Sequence, residues 1–360
     1  MKKRVLSFLT AAVMTTAMIL SGCSGSQTAA TTAAPAATET KAETTAAAKT
    51  EAATTTAAPA EKKEIVVGFS QVGAESDWRT ANTESMKSTF TEANGYKLIF
   101  DDAQQKQENQ LKAVRNFIQQ DVDYIVIAPV TETGWDTVLQ EAKDAGIPVI
   151  IVDRMINVSD DSLYTAWVGS NFLQEGYDAV AWLDDYLKKN NRADDDINIV
   201  TLQGTIGSSA QIGRTNGVEE KMKDHPKWKM LERQTGEFTQ AKGQEVMESF
   251  LKTYKDINVV IAENDNMAFG AIDAIKAAGK TCGPKGDIII ISFDAVSAAF
   301  DSMIAGDMNV SVECNPLHGP RVAEIIQKLE KGEKVDKIAY VKEGVFPADT
   351  AAAEKPKRQY

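Results

Sequence analysis

Polar side chains follow the apolar runs of this sequence at one repeated position, directly after each predicted strand. The clearest instances are Asp153-Arg154 after Ile150-Ile151-Val152 and Asn264-Asp265 after Val259-Val260-Ile261. The same position holds further polar residues along the chain: Ser70-Gln71, Asp101-Asp102, Gln203, Asp294 and Glu313. Because ligands of open parallel sheets bind beyond the carboxyl ends of the strands, these residues are candidates for one binding cleft.

Carboxylate, guanidinium and carboxamide groups can each form two hydrogen bonds with neighbouring hydroxyls, and bonds to charged groups are the stronger ones. The cleft therefore suits a small, uncharged, polyhydroxylated molecule, with Trp78 and Trp135 placed to cover the apolar face of a sugar ring. At any single position Asp or Asn could instead be an ordinary turn or helix-capping residue. Capping explains the combination less well, because it includes Arg154 and Arg214 and Arg is a poor turn residue.

The elements that must position these residues alternate between apolar strands and amphipathic helices from Glu64 onward. Strands are predicted at 65–69, 96–100, 124–127, 148–152, 197–202, 229–233, 258–262, 288–292 and 309–312. Helical stretches separate most of these strands, so the pattern predicts an α/β fold with parallel sheets covered on both faces. More than eight strands exceed what one compact sheet usually holds, which favours two doubly wound lobes.

The amino terminus has the layout of a secretory signal. Lys2, Lys3 and Arg4 precede a short apolar stretch that ends in Leu20-Ser21-Gly22-Cys23. This ending resembles the bacterial lipoprotein signal, which implies cleavage after residue 22 and lipidation of Cys23. Residues 24–63 are mostly Ala, Thr and Ser without aromatic residues, Leu, Ile or Val. Such a segment cannot bury enough apolar surface to fold, so 23–63 is predicted to be a lipidated cysteine followed by a disordered tether.

Charge and cysteine content narrow the function classes. Without the signal, the chain has 36 basic and 51 acidic residues, a net charge of −15. Such a surface repels nucleic acid and anionic lipid, so no nucleic-acid partner is expected and the membrane is contacted only through the lipid anchor. Cys282 and Cys314 give neither a disulfide framework nor a metal spacing, and their pairing remains open at this point.

Several segments together resemble the sugar-binding proteins of bacterial ABC importers, of the type that binds ribose and galactose. They are Gly68-Phe69-Ser70-Gln71-Val72, residues 102–117, Ile127-Ala128-Pro129-Val130, Ile151-Val152-Asp153-Arg154, Asn264-Asp265 and Ser292-Phe293-Asp294. Within that family, the runs at 71–79, 104–110, 133–135 and 202–207 look most like the galactofuranose-binding branch. The similarity extends from about Ile65 to about Gly344.

The resemblance implies two lobes of the type I periplasmic binding protein fold, joined by a three-strand hinge that closes around one sugar. It places 64–167 and about 315–338 in the amino-terminal lobe, 168–313 and about 339–347 in the carboxyl-terminal lobe, and 348–360 in a tail. The ligand-binding residues it implies are Ser70, Trp78, Arg79, Asp153, Arg154, Arg214, Asn264, Asp265, Asp294 and Glu313. Glu313 stands where relatives often have Gln, and Asp77-Trp78-Arg79 differs from the first loop of ribose binders, so a galactofuranose-like or galactose-like sugar is favoured over ribose.

The same resemblance implies a monomer that is anchored to the outer face of the cell membrane or lies in the periplasm. It implies delivery of the monosaccharide to the transmembrane subunits of an ABC permease, which has a cytoplasmic ATPase. No cofactor and no metal ion are expected. The main alternative is a sensor that presents sugar or a furanose signal molecule to a membrane receptor, which would use the same closing cleft.

Two further alternatives are disfavoured by the sequence. A sugar-responsive transcriptional repressor would carry an amino-terminal helix-turn-helix and a basic patch, which the secretory signal and the acidic body replace. An enzyme, such as an extracellular carbohydrate-active enzyme, is disfavoured because the sequence has few of the motifs and residues that catalysis commonly uses. The first strand lacks a Gly-x-Gly-x-x-Gly run, no Gly-x-Ser-x-Gly elbow occurs, and only His225 and His318 are available.

Overall fold

The computed structural model describes residues 64–360. The predicted signal peptide, the lipidated Cys23 and the predicted disordered tether lie outside the described residues. None of the helices in 64–360 combines the length and the apolar character that crossing a membrane requires.

Residues 64–360 form twelve strands and ten α-helices. The strands are β1 Ile65–Gln71, β2 Tyr96–Asp102, β3 Tyr124–Ile127, β4 Val149–Val152, β5 Ala166–Gly169, β6 Ile197–Gln203, β7 Trp228–Thr235, β8 Val259–Ala262, β9 Ile289–Asp294, β10 Val310–Glu313, β11 Ile338–Tyr340 and β12 Val345–Pro347. The helices are α1 Asp77–Thr89, α2 Gln107–Gln119, α3 Asp136–Asp144, α4 Phe172–Lys189, α5 Ser209–Met222, α6 Gln240–Thr253, α7 Asp265–Ala277, α8 Ser297–Ala305, α9 Gly319–Glu330 and α10 Ala351–Glu354.

The strands form two six-stranded sheets, which confirms the predicted pair of α/β lobes. The first sheet has the order β11-β5-β4-β3-β1-β2 and is parallel throughout. The second has the order β12-β10-β9-β8-β6-β7. Its edge strand β12 runs antiparallel to β10, so one strand of the second lobe departs from the predicted parallel arrangement.

Continuously apolar central strands explain why both sheets are covered on two faces. β3, β4 and β8 are buried along their whole length, and each consists of apolar residues only, apart from Tyr124. Strands of this composition must be enclosed by helices on both sides. The helices supply apolar faces that pack against the sheets as separate core clusters in each lobe.

The chain crosses between the lobes at three places. The first crossover lies between β5 and α4, the second between β10 and α9, and the third between β11 and β12. β5 reaches Gly169 and β11 reaches Tyr340 in the first sheet, so two of the crossings come two residues later than the sequence predicts. Short strands such as β5 and β11 carry too little periodicity for their ends to be read from sequence.

The segment predicted as a tail packs against the second lobe. It includes α10, and the Ser297 N–H at the start of α8 donates to the Tyr360 carbonyl at 2.7 Å. Arg358 forms an ion pair with Glu313 at 2.7 Å. Cys282 and Cys314 are both buried and both free, so they do not form a disulfide with each other.

Candidate functional site

A cavity of about 280 Å³ lies where the carboxyl ends of the two sheets face each other. The first lobe lines it with residues of the β1–α1 loop, of α1 and of the segment after β4, and the second lobe with residues of α4, α5 and the loops after β7, β8 and β9. The lining residues are Glu75, Ser76, Trp78, Arg79, Asp153, Arg154, Phe172, Ala210, Arg214, Phe238, Asn264, Asp294 and Cys314. Every charged group among these is almost completely buried, so the structure is a closed form.

Seven of the ten predicted ligand-binding residues line this cavity. They are Trp78, Arg79, Asp153, Arg154, Arg214, Asn264 and Asp294, and none exposes more than 4% of its surface. Asp153 and Asn264 come from different lobes and line the same space, as one binding cleft between two lobes requires. These placements make the residues candidates for ligand contact.

On the first lobe, Arg79 organises a network of buried polar groups. Its guanidinium bonds to Asp153 Oδ2 at 2.7 Å, to Glu75 Oε1 at 3.0 Å and to Gln71 Oε1 at 3.1 Å. Burial by itself lowers the pKa of Arg79, but the charges of Asp153 and Glu75 outweigh it and raise the pKa above the ordinary value. Arg79 is therefore a permanently charged positioning group that holds the Asp153 carboxylate at the cavity.

Arg154 is held less tightly than Arg79. It donates to the Val130 carbonyl at 3.0 Å, lies 3.7 Å from Glu75 and 4.0 Å from Asp153, and covers the Phe238 ring at 5.1 Å. Burial and the neighbouring Arg79 charge lower the pKa of Arg154 to about 10. A buried guanidinium that lacks close partners gains most from acceptor groups of a ligand.

On the second lobe, Arg214 of α5 has the corresponding central place. Its Nε bonds to Glu175 Oε2 at 2.6 Å, its Nη1 donates to the Glu263 carbonyl, and its Nη2 lies 3.4 Å from Asp294 Oδ1. The guanidinium also covers the Phe172 and Phe293 rings. The contact with Asp294 is long for a charge-assisted bond, so both partners retain capacity for hydroxyl groups in the cavity.

Asn264 reaches the cavity because it caps a helix. Its Oδ1 accepts from the Met267 N–H at 2.9 Å, which begins α7, and its Nδ2 donates to the Phe238 carbonyl at 3.0 Å. A carboxamide has two N–H donors, so one remains for the cavity. Asn264 thus caps a helix, as one of the two sequence alternatives has it, and its position in the lining keeps it a candidate for ligand contact.

Aromatic rings line the cavity between these polar groups. Trp78 is fixed by its Nε1, which donates to the Cys314 carbonyl at 2.6 Å, and Phe172 and Phe238 contribute from the second lobe. Trp135 is different: it is fully buried in the core of the first lobe and donates to the Thr131 carbonyl. The suggestion that Trp135 covers a sugar ring is wrong, because its indole supports α3 from inside.

Three predicted residues lie outside the cavity lining. Asp265 accepts from the Val296 N–H at 2.9 Å and from Ser311 Oγ at 2.8 Å, so it supports the loop that carries Asp294. Glu313 accepts from Arg358 at 2.7 Å and from the Gly344 N–H at 3.0 Å, which ties the tail and the third crossover to β10. Ser70 is buried in β1.

Several lining residues escaped the sequence reasoning. Phe172 begins α4 shortly after β5. Because β5 is too short to be predicted from sequence, the sequence does not place Phe172 at the carboxyl end of a strand. Phe238 has a positive φ of 63°, and its ring lies against Gly204, where a Cβ would come within 1.9 Å of the ring. Glu175 and Glu263 do not line the cavity, and they pair with polar groups that reach them only in the folded chain.

The lobes touch each other around the cavity. The Asp77 N–H donates to Asn266 Oδ1 at 3.0 Å, and Asn266 Nδ2 donates back to Asp77 Oδ2 at 3.3 Å. The Met155 N–H donates to Ser209 Oγ at 2.7 Å, and the Glu132 N–H donates to the Gly207 carbonyl at 3.0 Å. A molecule in the cavity would be enclosed by both lobes at once.

Comparison with known proteins connects this architecture to a family. Residues 67–334 match the periplasmic binding protein domain. The chain is 44% identical over 299 residues to the galactofuranose-binding protein YtfQ of Escherichia coli (strain K12), which covers 82% of this chain and 92% of that protein. It is 30% identical over 277 residues to the ribose import binding protein RbsB of Bacillus subtilis (strain 168), with 77% and 85% covered.

Solved structures agree with the sequence comparison. A protein from Mycobacterium smegmatis in complex with β-D-fucofuranose is 45% identical, with a TM-score of 0.78 and coverage of 82% of this chain and 95% of that one. The binding protein of the arabinose ABC transporter from Shewanella sp. ANA-3, bound to α- and β-L-arabinofuranose, is 47% identical, with a TM-score of 0.76 and the same coverage. The two sequence relatives and the Shewanella protein are binding proteins by name. The chain belongs to the family of periplasmic binding protein domains.

Proposed function

We propose that this protein captures a monosaccharide in its furanose form between the two lobes and delivers it to an ABC permease. The observation that carries the proposal is the closed cavity, in which buried charged groups from both lobes retain unused hydrogen-bonding capacity. The lining combines aromatic side chains with a small number of placed polar groups, which is the composition of sites that bind small molecules.

The unused capacity is distributed around the whole cavity. Arg154 and Asp153 offer it on the first lobe, and Arg214, Asn264 and Asp294 offer it on the second. Glu75 Oε2 is buried without a hydrogen-bond partner. Buried polar groups are costly unless they are paired, so a ligand with several hydroxyls stabilises the closed form by pairing them.

The sugars named for the similar proteins share one chemical feature. Galactofuranose, β-D-fucofuranose and L-arabinofuranose are all five-membered rings that differ in the group outside the ring. A ligand of the same ring form for this chain is supported by identities of 44–47% and by the match of the folds. Trp78, Phe172 and Phe238 would cover the apolar face of such a ring.

Location and delivery complete the proposal. The sequence at residues 1–23 supports export and lipidation of Cys23, and residues 24–63 then act as the tether of the binding domain. The lobes close around the sugar and the closed shape engages the transmembrane subunits, one lobe on each half. The protein acts as a monomer without a cofactor, and it binds its ligand without changing it chemically.

The test uses the mature chain with the substitution Cys23→Ser, which prevents lipidation. The probes are 5-deoxy-L-arabinose, which closes only to a furanose, and 4-deoxy-L-arabinose, which closes only to a pyranose. At a concentration of about 100 times the dissociation constant, a ligand stabilises the folded state by about 2.7 kcal/mol and raises the melting temperature by several degrees. We expect this shift with the furanose analogue and with galactose, fucose and arabinose. A shift with the pyranose-only analogue alone would refute the furanose proposal.

A further inference from the structure

The three crossovers between the lobes meet at one carboxylate. Ser170 lies on the first crossover, Cys314 and Asn315 on the second, and Glu343 on the third. Glu343 Oε1 accepts from Ser170 Oγ at 2.6 Å and from the Asn315 N–H at 2.7 Å. Ser170 Oγ also lies 3.2 Å from Cys314 Sγ. One side chain therefore bonds to both other strands of the hinge.

This junction is crowded with acidic groups. One oxygen of Glu175, one oxygen of Glu343 and the Cys314 sulfur all lie within 4.8 Å of one another. Glu175 is paired with Arg214, and Glu313 of β10 is paired with Arg358. Among the ion pairs of residues 64–360, none involves Glu343, so its charge would face Glu175 and Glu313 without a basic partner.

Burial and these neighbours disfavour a charged Glu343. Burial is the largest influence and, with the Glu175 and Glu313 charges, raises the pKa of Glu343 to about 8 in spite of the bonds from Ser170 and Asn315. Burial likewise raises the pKa of Cys314 and of Glu175, so the thiol stays protonated at neutral pH. Glu175 is paired with Arg214 and Glu343 has no such partner, so Glu343 is the carboxyl group of the junction that we expect to carry a proton.

We propose that Glu343 is a positioning residue of the hinge, which joins the three crossovers in the closed form as a neutral carboxylic acid and releases its proton when the lobes open. The inference rests on the proposed function, because closing is measured through sugar binding. Its basis is the position of the bonds: Ser170, Asn315 and Glu343 lie on three different crossovers, whose relative rotation is the hinge motion itself.

The junction also lies directly behind the cavity. Cys314 lines the cavity, and Arg214 connects the cavity to Glu175. Opening the lobes admits water to this side of the junction and separates the groups that bond to Glu343. Both changes remove the causes that favour the neutral acid, so the pKa of Glu343 returns toward its ordinary value of 4.5.

The sign of the pH dependence follows from linkage. The pKa of Glu343 is higher in the closed form, so sugar binding takes up a proton between about pH 5 and pH 8. The full contribution is present below the open-form pKa and is lost as the pH rises through about 8. Sugar affinity is expected to fall across this window by up to about tenfold per pH unit and to level off above it.

The experiment is calorimetric titration of the mature Cys23→Ser chain with L-arabinose at pH 7, in buffers of different ionisation enthalpy, and at a series of pH values from 5.5 to 9. We expect uptake of up to about one proton per sugar bound. Glu343→Gln keeps the accepting oxygen but cannot titrate, so its proton uptake should be clearly smaller than that of the parent and its affinity should depend less on pH. Burial also raises the pKa of Asp294 in the cavity, and any uptake at Asp294 is retained in this variant. Glu333→Gln changes an exposed glutamate after α9 and should behave like the parent.

The outcomes separate this inference from the proposed function. Absence of arabinose binding at every pH would contradict the proposed function. Arabinose binding without proton uptake, or with uptake that Glu343→Gln leaves unchanged, would overturn the role of Glu343. If Glu343→Gln fails to fold, as thermal unfolding would show, the buffer series on the parent chain still decides whether closing takes up a proton.

Discussion

Single residues in this cavity stabilise the fold and, in the proposed function, also bind the ligand. Arg214 shows this most clearly, since it neutralises the buried Glu175 while its Nη2 remains loosely held near Asp294. Replacing Arg214 with Ala should therefore affect the stability of the fold as well as sugar binding. Removing one partner of a buried ion pair costs about 3–5 kcal/mol, because the other charge stays buried and unpaired.

A second substitution, Glu175→Gln, separates the effect of Arg214→Ala on stability from its effect on sugar binding. Arg214→Ala alone should lower the melting temperature strongly, whereas Arg214→Ala with Glu175→Gln should restore much of the stability, because Glu175 then leaves no unpaired charge and only the more distant Asp294 loses its partner. Sugar affinity should still fall more than about 100-fold in the double variant, since charged hydrogen bonds contribute about 1.5–3 kcal/mol each. Calorimetry and thermal unfolding measure both effects, with Glu175→Gln as the control. Parent-like affinity in the double variant would remove Arg214 from the site.

At the scale of elements, the position of Arg214 depends on the close approach of two helices. Gly176 of α4 and Gly217 of α5 lie face to face, and a Cβ on Gly217 would come within 2.4 Å of the Leu173 carbonyl. The absence of side chains lets α5 approach α4 closely enough for Arg214 to reach Glu175 at 2.6 Å. The helix pair thus fixes one wall of the cavity.

Gly217→Ala should disturb this wall. The added methyl group meets backbone that cannot yield locally, so the helices must separate, and overpacking of this kind costs about 1–3 kcal/mol. We expect a lower melting temperature together with weaker sugar binding, measured by thermal unfolding and calorimetry. Asn216→Ala changes the exposed neighbouring residue of α5 and should leave both quantities nearly unchanged. Unchanged affinity in Gly217→Ala would show that the α4–α5 distance does not control the site.

At the scale of the whole molecule, the proposed function makes the apparent affinity for sugar depend on the equilibrium between open and closed forms. The closed form is stabilised by direct contacts between the lobes as well as by the ligand, and the reciprocal bonds of Asp77 and Asn266 are such contacts. They belong to the rim of the cleft and do not line the cavity. A ligand-independent change in the closing equilibrium should therefore alter apparent affinity without any change in the ligand contacts.

Asn266→Ala tests this separation of closing from contact. The two lost bonds contribute about 0.5–1.5 kcal/mol each, so sugar affinity should fall by about 5- to 150-fold. The melting temperature of the sugar-free chain should stay close to that of the parent, because open lobes do not form these bonds. Small-angle scattering should show a larger radius at subsaturating sugar. Asn94→Ala, an exposed residue of the first lobe, is the control. Parent-like affinity would mean that these bonds do not favour closing.

The sequence alone determined the fold class and much of the cavity. Continuous apolar runs such as those of β4 and β8 can exist only inside covered parallel sheets, and the polar residues that follow them must then gather at the sheet edges. This pattern predicts Asp153, Arg154 and Asn264 at the cavity, and the structure has all three in its lining. The prediction required only the local pattern and a general rule about strand ends.

Tertiary structure decided what local pattern does not encode. Trp78 and Trp135 each come a few residues after a strand. The Trp135 indole nevertheless fills the core of the first lobe, and the Trp78 indole lines the cavity, because packing decides which way each side chain points. The short strand β5, the antiparallel β12 and the pairings of Glu175 and Glu343 depend on partners far along the chain. Contacts between distant segments follow from how the whole chain packs, and for that reason the hinge junction became visible only in the folded molecule.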